Sequence, residues 1–344
     1  MSVVVSTWMY TVPDGDGAVH FQIGKRSDTQ EARNHYWRCL FCLFASARAH
    51  MPDCRCVLLY NTPPPDFIDD KNVHDMIRRL RIELVQLETT TRPPKDYHPA
   101  WNTQFIVLDA LDQLRSLAEP EDAVLLLDGD CIFVRPLSEE ELSRIASKRA
   151  LLYTLPYDIN KDINGLTAPA LTALSKEYDP PATADLIRYS GGEFVCLSGA
   201  ALAEVAPMAR SAYEQSLSRH EAGQEKFREE AHLLSYVYSL LGFDTHSGND
   251  IIKRIWTDGG GFRNVDGSED NLAIWHLPAE KKRGFRQMFA ALGSSENELS
   301  LFYDRHRLDR LFRIRPGLRA SLRMGLVKRA RPGWEKVRQY LPGR

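Results

Sequence analysis

The sequence predicts an α/β fold in which helices flank a mostly parallel, mixed sheet. Apolar segments typical of strands alternate with segments of helical spacing along the chain, as in proteins built from βαβ units. The apolar run at residues 124–127 leads through two aspartates into a second apolar run at 131–134. Such runs are typical of strands buried on both faces, which occur in parallel or mixed sheets.

The predicted elements begin with a strand rich in β-branched and aromatic residues and continue through three βα units to the central strand. Strands are predicted at residues 3–11, 56–60, 82–87, 124–127, 150–155, 251–256 and 272–275. Helices are predicted at residues 31–50, 73–81, 103–117 and 225–241. Residues 188–205 are predicted to form a glycine-rich turn, a short strand and a helix, in that order.

The composition is that of an ordinary globular protein with one strong charge asymmetry. The 344 residues are 43% hydrophobic and 26% charged, and the net charge is −2. Residues 305–344 hold thirteen Lys and Arg against two acids, a net of +11, which leaves −13 on residues 1–304. An acidic body gives no reason to expect nucleic acid as a partner.

The six cysteines predict free thiols in a reducing compartment. Most of them lie inside apolar runs, where cysteine behaves as a small buried hydrophobe. Cys54-x-Cys56 is too closely spaced for one zinc knuckle and lacks a second pair. Because no secretory leader and no bilayer-length apolar run is visible, we expect a cytoplasmic protein.

Asp128 and Asp130 follow the central apolar run directly, with Gly129 between them. Ligands bind open α/β sheets beyond the carboxyl ends of the strands, so both carboxylates are expected in that crevice. Glycine lets a ligand approach the backbone closely. Neighbouring carboxylates repel each other unless a cation or a shared proton intervenes, which favours a hard divalent cation, Mg2+ or Mn2+. The alternative is a solvated Asp-Gly-Asp turn that only ends the strand.

The segment LLLDGDCIFVRPL resembles the DxD segment of glycosyltransferases with the Rossmann-like GT-A fold. This resemblance implies that Asp128 and Asp130 hold Mn2+ or Mg2+ on the diphosphate of a nucleotide sugar, and UDP is the nucleotide most often found with such a site. The same string also fits the first motif of haloacid-dehalogenase-type phosphatases, in which Asp128 would be the nucleophile. That motif usually continues to Thr or Val, where this chain has Ile132.

His276 follows the strand-like run at residues 272–275, and Lys282 lies six residues further on. Imidazole is a suitable third ligand for Mn2+ beside two carboxylates, and a lysine can neutralise a diphosphate. This order resembles the late His-x5-Lys segment of retaining, glycogenin-like galactosyl- and glucosyltransferases. There the His completes the metal site and the Lys contacts the diphosphate, so Lys281 is expected to matter less than Lys282. The alternative is a buried histidine followed by a solvated Lys-Lys-Arg turn.

Gly191, Gly192 and Glu193 form a third candidate site. The two glycines allow a sugar to approach the backbone, and Glu193 could bind sugar hydroxyls or act near the anomeric carbon. The segment resembles the glycine-containing stretch that lines the donor sugar in such enzymes. The alternative is an ordinary tight turn before a strand.

Further candidates are assigned by position in the chain. Glu230 could serve as the general base that takes the acceptor's proton, although acidic residues are also usual in the first turn of a helix. Trp101 and Asn102 precede a helix and are expected to line the donor or acceptor site. Thr7 and Tyr10, near the end of the first strand, are expected beside the nucleotide.

These features together predict a metal-dependent glycosyltransferase that moves a sugar from a UDP-sugar to a hydroxyl of a saccharide, a lipid-linked or a small-molecule acceptor. Residues 1–300 would form the GT-A domain, with a nucleotide-binding half at 1–136 and an acceptor-side half at 137–300. The alternatives are the phosphatase and a non-catalytic protein that binds nucleotide sugars. The resemblance implies retention of anomeric configuration, whereas a general base at Glu230 would imply inversion.

The basic segment at residues 301–344 predicts a helical tail. Apolar and basic residues each recur every four positions, as Ile314, Leu318 and Leu322 beside Arg315, Arg319 and Arg323. Such a segment at 305–344 can contact an anionic membrane, at the inner face in a bacterial-type cell. The alternatives are a tail that packs on the acidic body or one that stays solvated.

Overall fold

The structure is a computed structural model that describes residues 1–12, 19–20, 24–98, 102–258, 263–293 and 298–315. Within these residues the strands are β1 (Val3–Met9), β2 (Val19–His20), β3 (Lys25–Arg26), β4 (Arg55–Tyr60), β5 (Phe67–Ile68), β6 (Lys71–Asn72), β7 (Ile82–Gln86), β8 (Ala123–Leu127), β9 (Cys131–Phe133), β10 (Ala150–Thr154), β11 (Ser190–Ser198), β12 (Ile252–Arg254) and β13 (Ile274–His276). The helices are α1 (Gln30–His50), α2 (Val73–Arg79), α3 (Ile106–Arg115), α4 (Glu139–Lys148), α5 (Ala168–Ser175), α6 (Gly199–Glu221), α7 (Glu230–Leu240), α8 (Gly284–Ala291) and α9 (Arg305–Leu311).

Six strands form the main sheet, in the order β10-β11-β8-β1-β4-β7. Strands β8, β1, β4 and β7 are parallel neighbours, whereas β11 runs antiparallel to both β8 and β10. Helices α1, α2 and α3 connect the successive parallel strands along the chain, as βαβ crossovers require. The predicted α/β class and its mostly parallel, mixed sheet are therefore confirmed.

Side chains alternate between the two faces of the central strand β8, and both faces are buried. Leu125 and Leu127 pack into the core that contains α1 and α8. Val124 and Leu126 pack into the core that contains α3, α6 and α7. Every residue of β8 is at most 2% exposed, which confirms the predicted two-sided burial.

The second apolar run forms β9, which leaves the main sheet and joins a three-stranded sheet ordered β12-β13-β9. Strand β13 runs antiparallel to β9, so that His276 lies opposite Cys131. The backbone N–H of Leu277 donates to the carbonyl of Asp130, 2.9 Å away. This small sheet brings residues near position 276 to the carboxyl end of β8.

Gly191 and Gly192 lie within strand β11, so the prediction of a glycine-rich turn there was wrong. A Cβ at Gly191 would lie 2.2 Å from Oε2 of Glu193, and one at Gly192 would lie 2.6 Å from Oε1 of Glu230. The glycines therefore leave room for two carboxylates beside an extended strand, a packing requirement that local sequence does not show.

The helix predicted from residue 225 begins at Glu230, which corrects its start by five residues. Phe227 is buried and stacks on Tyr178 with ring centroids 4.1 Å apart. Its carbonyl accepts a hydrogen bond from the hydroxyl of Tyr97 at 2.6 Å. A helix that started at residue 225 would place the carbonyl and the ring of Phe227 elsewhere, so these two contacts favour a later start.

The first part of the predicted tail packs on the body. Leu308, Phe312 and Ile314 are at most 3% exposed, and the guanidinium of Arg313 bonds Oε1 of Glu280 at 2.6 Å. The predictions for residues 316–344 lie outside the described part of the chain. None of the helices in the described ranges is long and apolar enough to cross a bilayer.

Candidate metal centre

Asp128, Asp130 and His276 converge where β8 ends. Asp128 follows the last residue of β8, and its N–H donates to the carbonyl of Glu193 on the neighbouring strand β11 at 3.1 Å. A hydrogen bond of 3.1 Å from the N–H of Cys131 to the carbonyl of Asp128 closes the turn between them. The sequence prediction that both aspartates lie at the strand end is confirmed.

The three side chains form the only group of at least three His, Cys, Asp or Glu residues in the described part of the chain with a geometry suited to a metal ion. One ligand atom from each lies within 4.8 Å of the others. Nε2 of His276 is 3.3 Å from Oδ2 of Asp130 and 3.5 Å from Oδ2 of Asp128. Two carboxylates and one imidazole suit Mn2+, and the separations allow a shared ion at the usual ligand distance of about 2.1 Å.

Gly129 lets this turn pack against helix α1. A Cβ at this position would lie 2.6 Å from Cδ2 of Leu40. Thr7 on β1 is fully buried beneath the turn, and its Oγ1 has no hydrogen-bond partner among the described residues. The aspartate pair is therefore supported by α1 and β1, elements that come much earlier in the sequence.

Lys281 is ion-paired with Asp130 inside the centre. Both residues are buried, at 6% and 3% exposure. Burial by itself raises the pKa of Asp130, but Lys281 and His276 outweigh it and hold that pKa well below its usual range. Asp128 is only partly buried, with 34% of its side chain exposed. This partial burial and the charges of Asp130 and Glu193 raise its pKa to about 6 against the opposing charge of His276.

The other ring nitrogen of His276 faces Glu193. Nδ1 lies 3.4 Å from Oε1 of Glu193, and Arg254 holds the same carboxylate through Nε at 2.7 Å and Nη2 at 2.5 Å. Burial by itself lowers the pKa of His276, but Asp130 and Glu193 outweigh it and raise the pKa to about 9. Arg254 lies opposite His276 in the β12–β13 pair, so the backbone register places both groups beside Glu193.

Glu230 lies on the other side of Gly192, at the first residue of α7. It is 7% exposed, and its Oε2 has no hydrogen-bond partner among the described residues. Burial, followed by the charge of Glu229, raises the pKa of Glu230 well above the usual value, and Asp128 contributes to the shift. A raised pKa makes the ionised carboxylate a stronger base than an exposed glutamate.

The remaining predicted site residues lie in different surroundings. Lys282 is exposed, one residue beyond the buried Lys281. Tyr10 is partly buried against the core that contains α3. Asn102 begins a 3-10 turn (Asn102–Phe105), and Trp101 lies outside the described residues.

Lys281 and Arg254 are contacts of the centre that the sequence analysis did not select. The resemblance points to Lys282, and no sequence signal separates two adjacent lysines. Arg254 lies in the predicted strand at residues 251–256, and an arginine within an apolar strand is a sign of a buried acidic partner. That partner, Glu193, is 61 residues away in the sequence.

Comparison of the sequence with protein-family models gives no match, and comparison with curated proteins gives none either. The function is therefore inferred from the chemistry of the centre.

Proposed function

We propose that the protein is a metal-dependent glycosyltransferase of the GT-A type that uses a nucleoside-diphosphate sugar, with UDP as the nucleotide. The observation that carries the proposal is the convergence of Asp128, Asp130 and His276 at the carboxyl end of the central strand. This is the ligand set expected from the resemblance of the DxD and His-x5-Lys segments. A divalent ion held there would stabilise the negative charge that develops on the departing diphosphate.

The surrounding residues keep these ligands in place. Glu193, which is itself held by Arg254, faces Nδ1 of His276 at 3.4 Å, and a carboxylate at this position favours the ring orientation that directs Nε2 at the metal position. We therefore assign Glu193 to positioning of His276 in preference to direct contact with the sugar, since its side chain is completely buried. Lys281 holds Asp130 through an ion pair between two buried side chains.

Glu230 is the candidate acid–base group. Its unpartnered Oε2 and raised pKa suit a group that takes the proton of an acceptor hydroxyl. The exposed Lys282 is available for the diphosphate, where a cation offsets charge in the transition state. The acceptor is a saccharide, a lipid-linked or a small-molecule hydroxyl, and the six free thiols suit a cytoplasmic location.

The proposal is tested by incubating the full-length protein with Mn2+ and a panel of UDP-sugars without acceptor and measuring release of free UDP. We expect slow release that stops with a chelator and returns with Mn2+. Asp130→Ala and Asp128→Asn should each abolish it, whereas the exposed Asp185→Asn should retain it. Undiminished release in the presence of chelator would contradict the metal-dependent reaction.

Two other outcomes separate the competing functions. Release of inorganic phosphate from p-nitrophenyl phosphate, without release of UDP, would identify a phosphatase with Asp128 as nucleophile. Saturable binding of a UDP-sugar without turnover, in the presence of any of the acceptor classes, would identify a binding protein.

A further inference from the structure

Cys54 and Cys56 lie at the amino-terminal end of β4, far from the candidate metal centre. Strands β4, β1 and β8 are parallel, and the metal centre lies at the carboxyl end of β8. The two thiols therefore lie at the opposite ends of the parallel strands from the metal centre. Their chemistry does not depend on the proposed glycosyl transfer.

The two sulfur atoms already lie side by side. Sγ of Cys54 is 3.7 Å from Sγ of Cys56, whereas a disulfide requires about 2.05 Å. Cys54 lies on a bend before β4 and is outside the strand pairing, so its side chain can turn without breaking the ladder. Arg55 between them bonds elsewhere, to the carbonyl of Leu117 and to Glu83, each at 3.0 Å.

Two arginines surround the sulfur pair. Nη2 of Arg48 donates to Sγ of Cys56 at 3.5 Å, and the same guanidinium is fixed by the carbonyls of Cys54 and Leu80. The contact with the thiol of Cys56 lowers the pKa of Cys54 most strongly, and the charges of Arg48 and Arg81 lower it further, in spite of burial. Cys54 is the only one of the six cysteines whose pKa is lowered. Burial raises the pKa of the four cysteines outside this pair, and the contact with Cys54, together with burial, raises that of Cys56.

A cavity of about 260 Å3 reaches both cysteines. Arg48, Arg81, Asp53 and Glu83 complete its lining together with Arg55. Cys54 is 5% exposed, whereas the other five cysteines are at most 1% exposed. A small polar oxidant can therefore reach this pair more easily than any other thiol of the chain.

We propose that Cys54 and Cys56 form a redox-active dithiol that hydrogen peroxide closes to an intramolecular disulfide. The thiolate of Cys54 attacks one peroxide oxygen and becomes a sulfenic acid, and the departing hydroxide takes up the proton that Cys54 released. The sulfur of Cys56 then attacks the sulfenic sulfur, and its proton leaves with the sulfenic oxygen as water. Two thiols and one peroxide thus give one disulfide and two waters.

The test is treatment of the native full-length protein with a small molar excess of hydrogen peroxide, followed by intact mass measurement, thiol counting and tryptic mapping without reductant. Trypsin cleaves after Arg48, Arg55 and Lys71, which places the two cysteines in separate peptides, 49–55 and 56–71. We expect the mass to fall by two hydrogens, two of six thiols to disappear and the two peptides to remain linked. Dithiothreitol should restore all six thiols.

Three variants make the result specific. Cys54→Ser should show no oxidation at this dose, and Cys56→Ser should stop at a sulfenic acid on Cys54 that dimedone traps. Cys196→Ser, which removes a buried thiol from β11, should behave as the parent protein does. A full thiol count after treatment, a disulfide between any other pair or one between two molecules would overturn the proposal.

Discussion

At the scale of single residues, each candidate metal ligand with low exposure is held by a charged neighbour. Lys281 holds Asp130, and Glu193 with Arg254 holds His276. A buried charge is tolerated only when it is paired, so these neighbours stabilise the ligands and also set their charge. Asp128, the most exposed of the three, has the pKa closest to neutrality, at about 6.

Lys281 is expected to control metal affinity. Lys281→Met should tighten Mn2+ binding by at least about tenfold, because it removes a cation that repels the metal and competes with it for Asp130. Two unit charges ~4 Å apart interact by about 4 kcal/mol at an effective dielectric constant of 20. The metal-free variant should lose about 3–5 kcal/mol of unfolding free energy, since the buried Asp130 loses its lysine partner and keeps only His276. Calorimetric titration with Mn2+ and thermal unfolding in chelator measure both effects.

Lys282→Met is the matched control. Lys282 is exposed, so its replacement should change the free energy of unfolding by less than about 0.5 kcal/mol and leave Mn2+ affinity close to that of the parent. Equal Mn2+ affinities for both variants would mean that Lys281 does not influence the metal position.

At the scale of elements, strand β11 supports the centre through its pairing with β8 and through the side chain of Glu193. It pairs antiparallel with β8 and with β10, and it carries Glu193 towards His276. Its glycines at 191 and 192 accommodate the carboxylates of Glu193 and Glu230. The strand therefore links the proposed metal ligands to the proposed acid–base group.

The two glycines should differ in their tolerance of a methyl group. Gly191→Ala should lower the free energy of unfolding by about 1–3 kcal/mol, because the new Cβ meets a carboxylate that Arg254 holds through two hydrogen bonds. Gly192→Ala should cost less than about 1 kcal/mol, because Oε2 of Glu230 has no partner to lose when the side chain moves. Urea unfolding of both variants in chelator gives the comparison, and a larger loss for Gly192→Ala would contradict this packing.

At the scale of the whole molecule, charge is distributed unequally along the chain. Residues 305–344 carry +11 and the remainder carries −13. Some of the positive charge of residues 305–344 is paired with acids of the body, since Arg313 pairs with Glu280 and Arg315 pairs with Asp270. Residues 316–344 hold eight more Lys and Arg against one acid, so their sequence retains a charge of +7.

This remaining charge is expected to bind anionic membranes. Full-length protein should sediment with phosphatidylserine vesicles at low salt, because each basic residue near such a surface contributes about 1 kcal/mol. A chain that ends at Arg315 keeps the packed residues Leu308 to Ile314 and should stay in the supernatant. Neutral phosphatidylcholine vesicles are the control, and equal sedimentation of both chains with anionic vesicles would exclude 316–344 as the contact.

The sequence by itself determined the features that depend on neighbouring residues. The apolar run of β8 required burial on both faces, and the two aspartates after it had to lie at the strand end. The alternation of strands and helices predicted the α/β class, and the run at residues 272–275 predicted β13, which spans Ile274–His276. Periodicity and local polarity are sufficient for such features because both are set within a few residues.

Only the tertiary structure decided which distant groups meet. The antiparallel pairing of β13 with β9 brings His276 to the aspartates, and the pairing of β12 with β13 sets Arg254 beside Glu193. The choice of Lys281 over Lys282 depends on which side of one turn faces Asp130. Adjacent residues are nearly equivalent in a sequence pattern, whereas burial and pairing energies separate them as soon as the chain has folded.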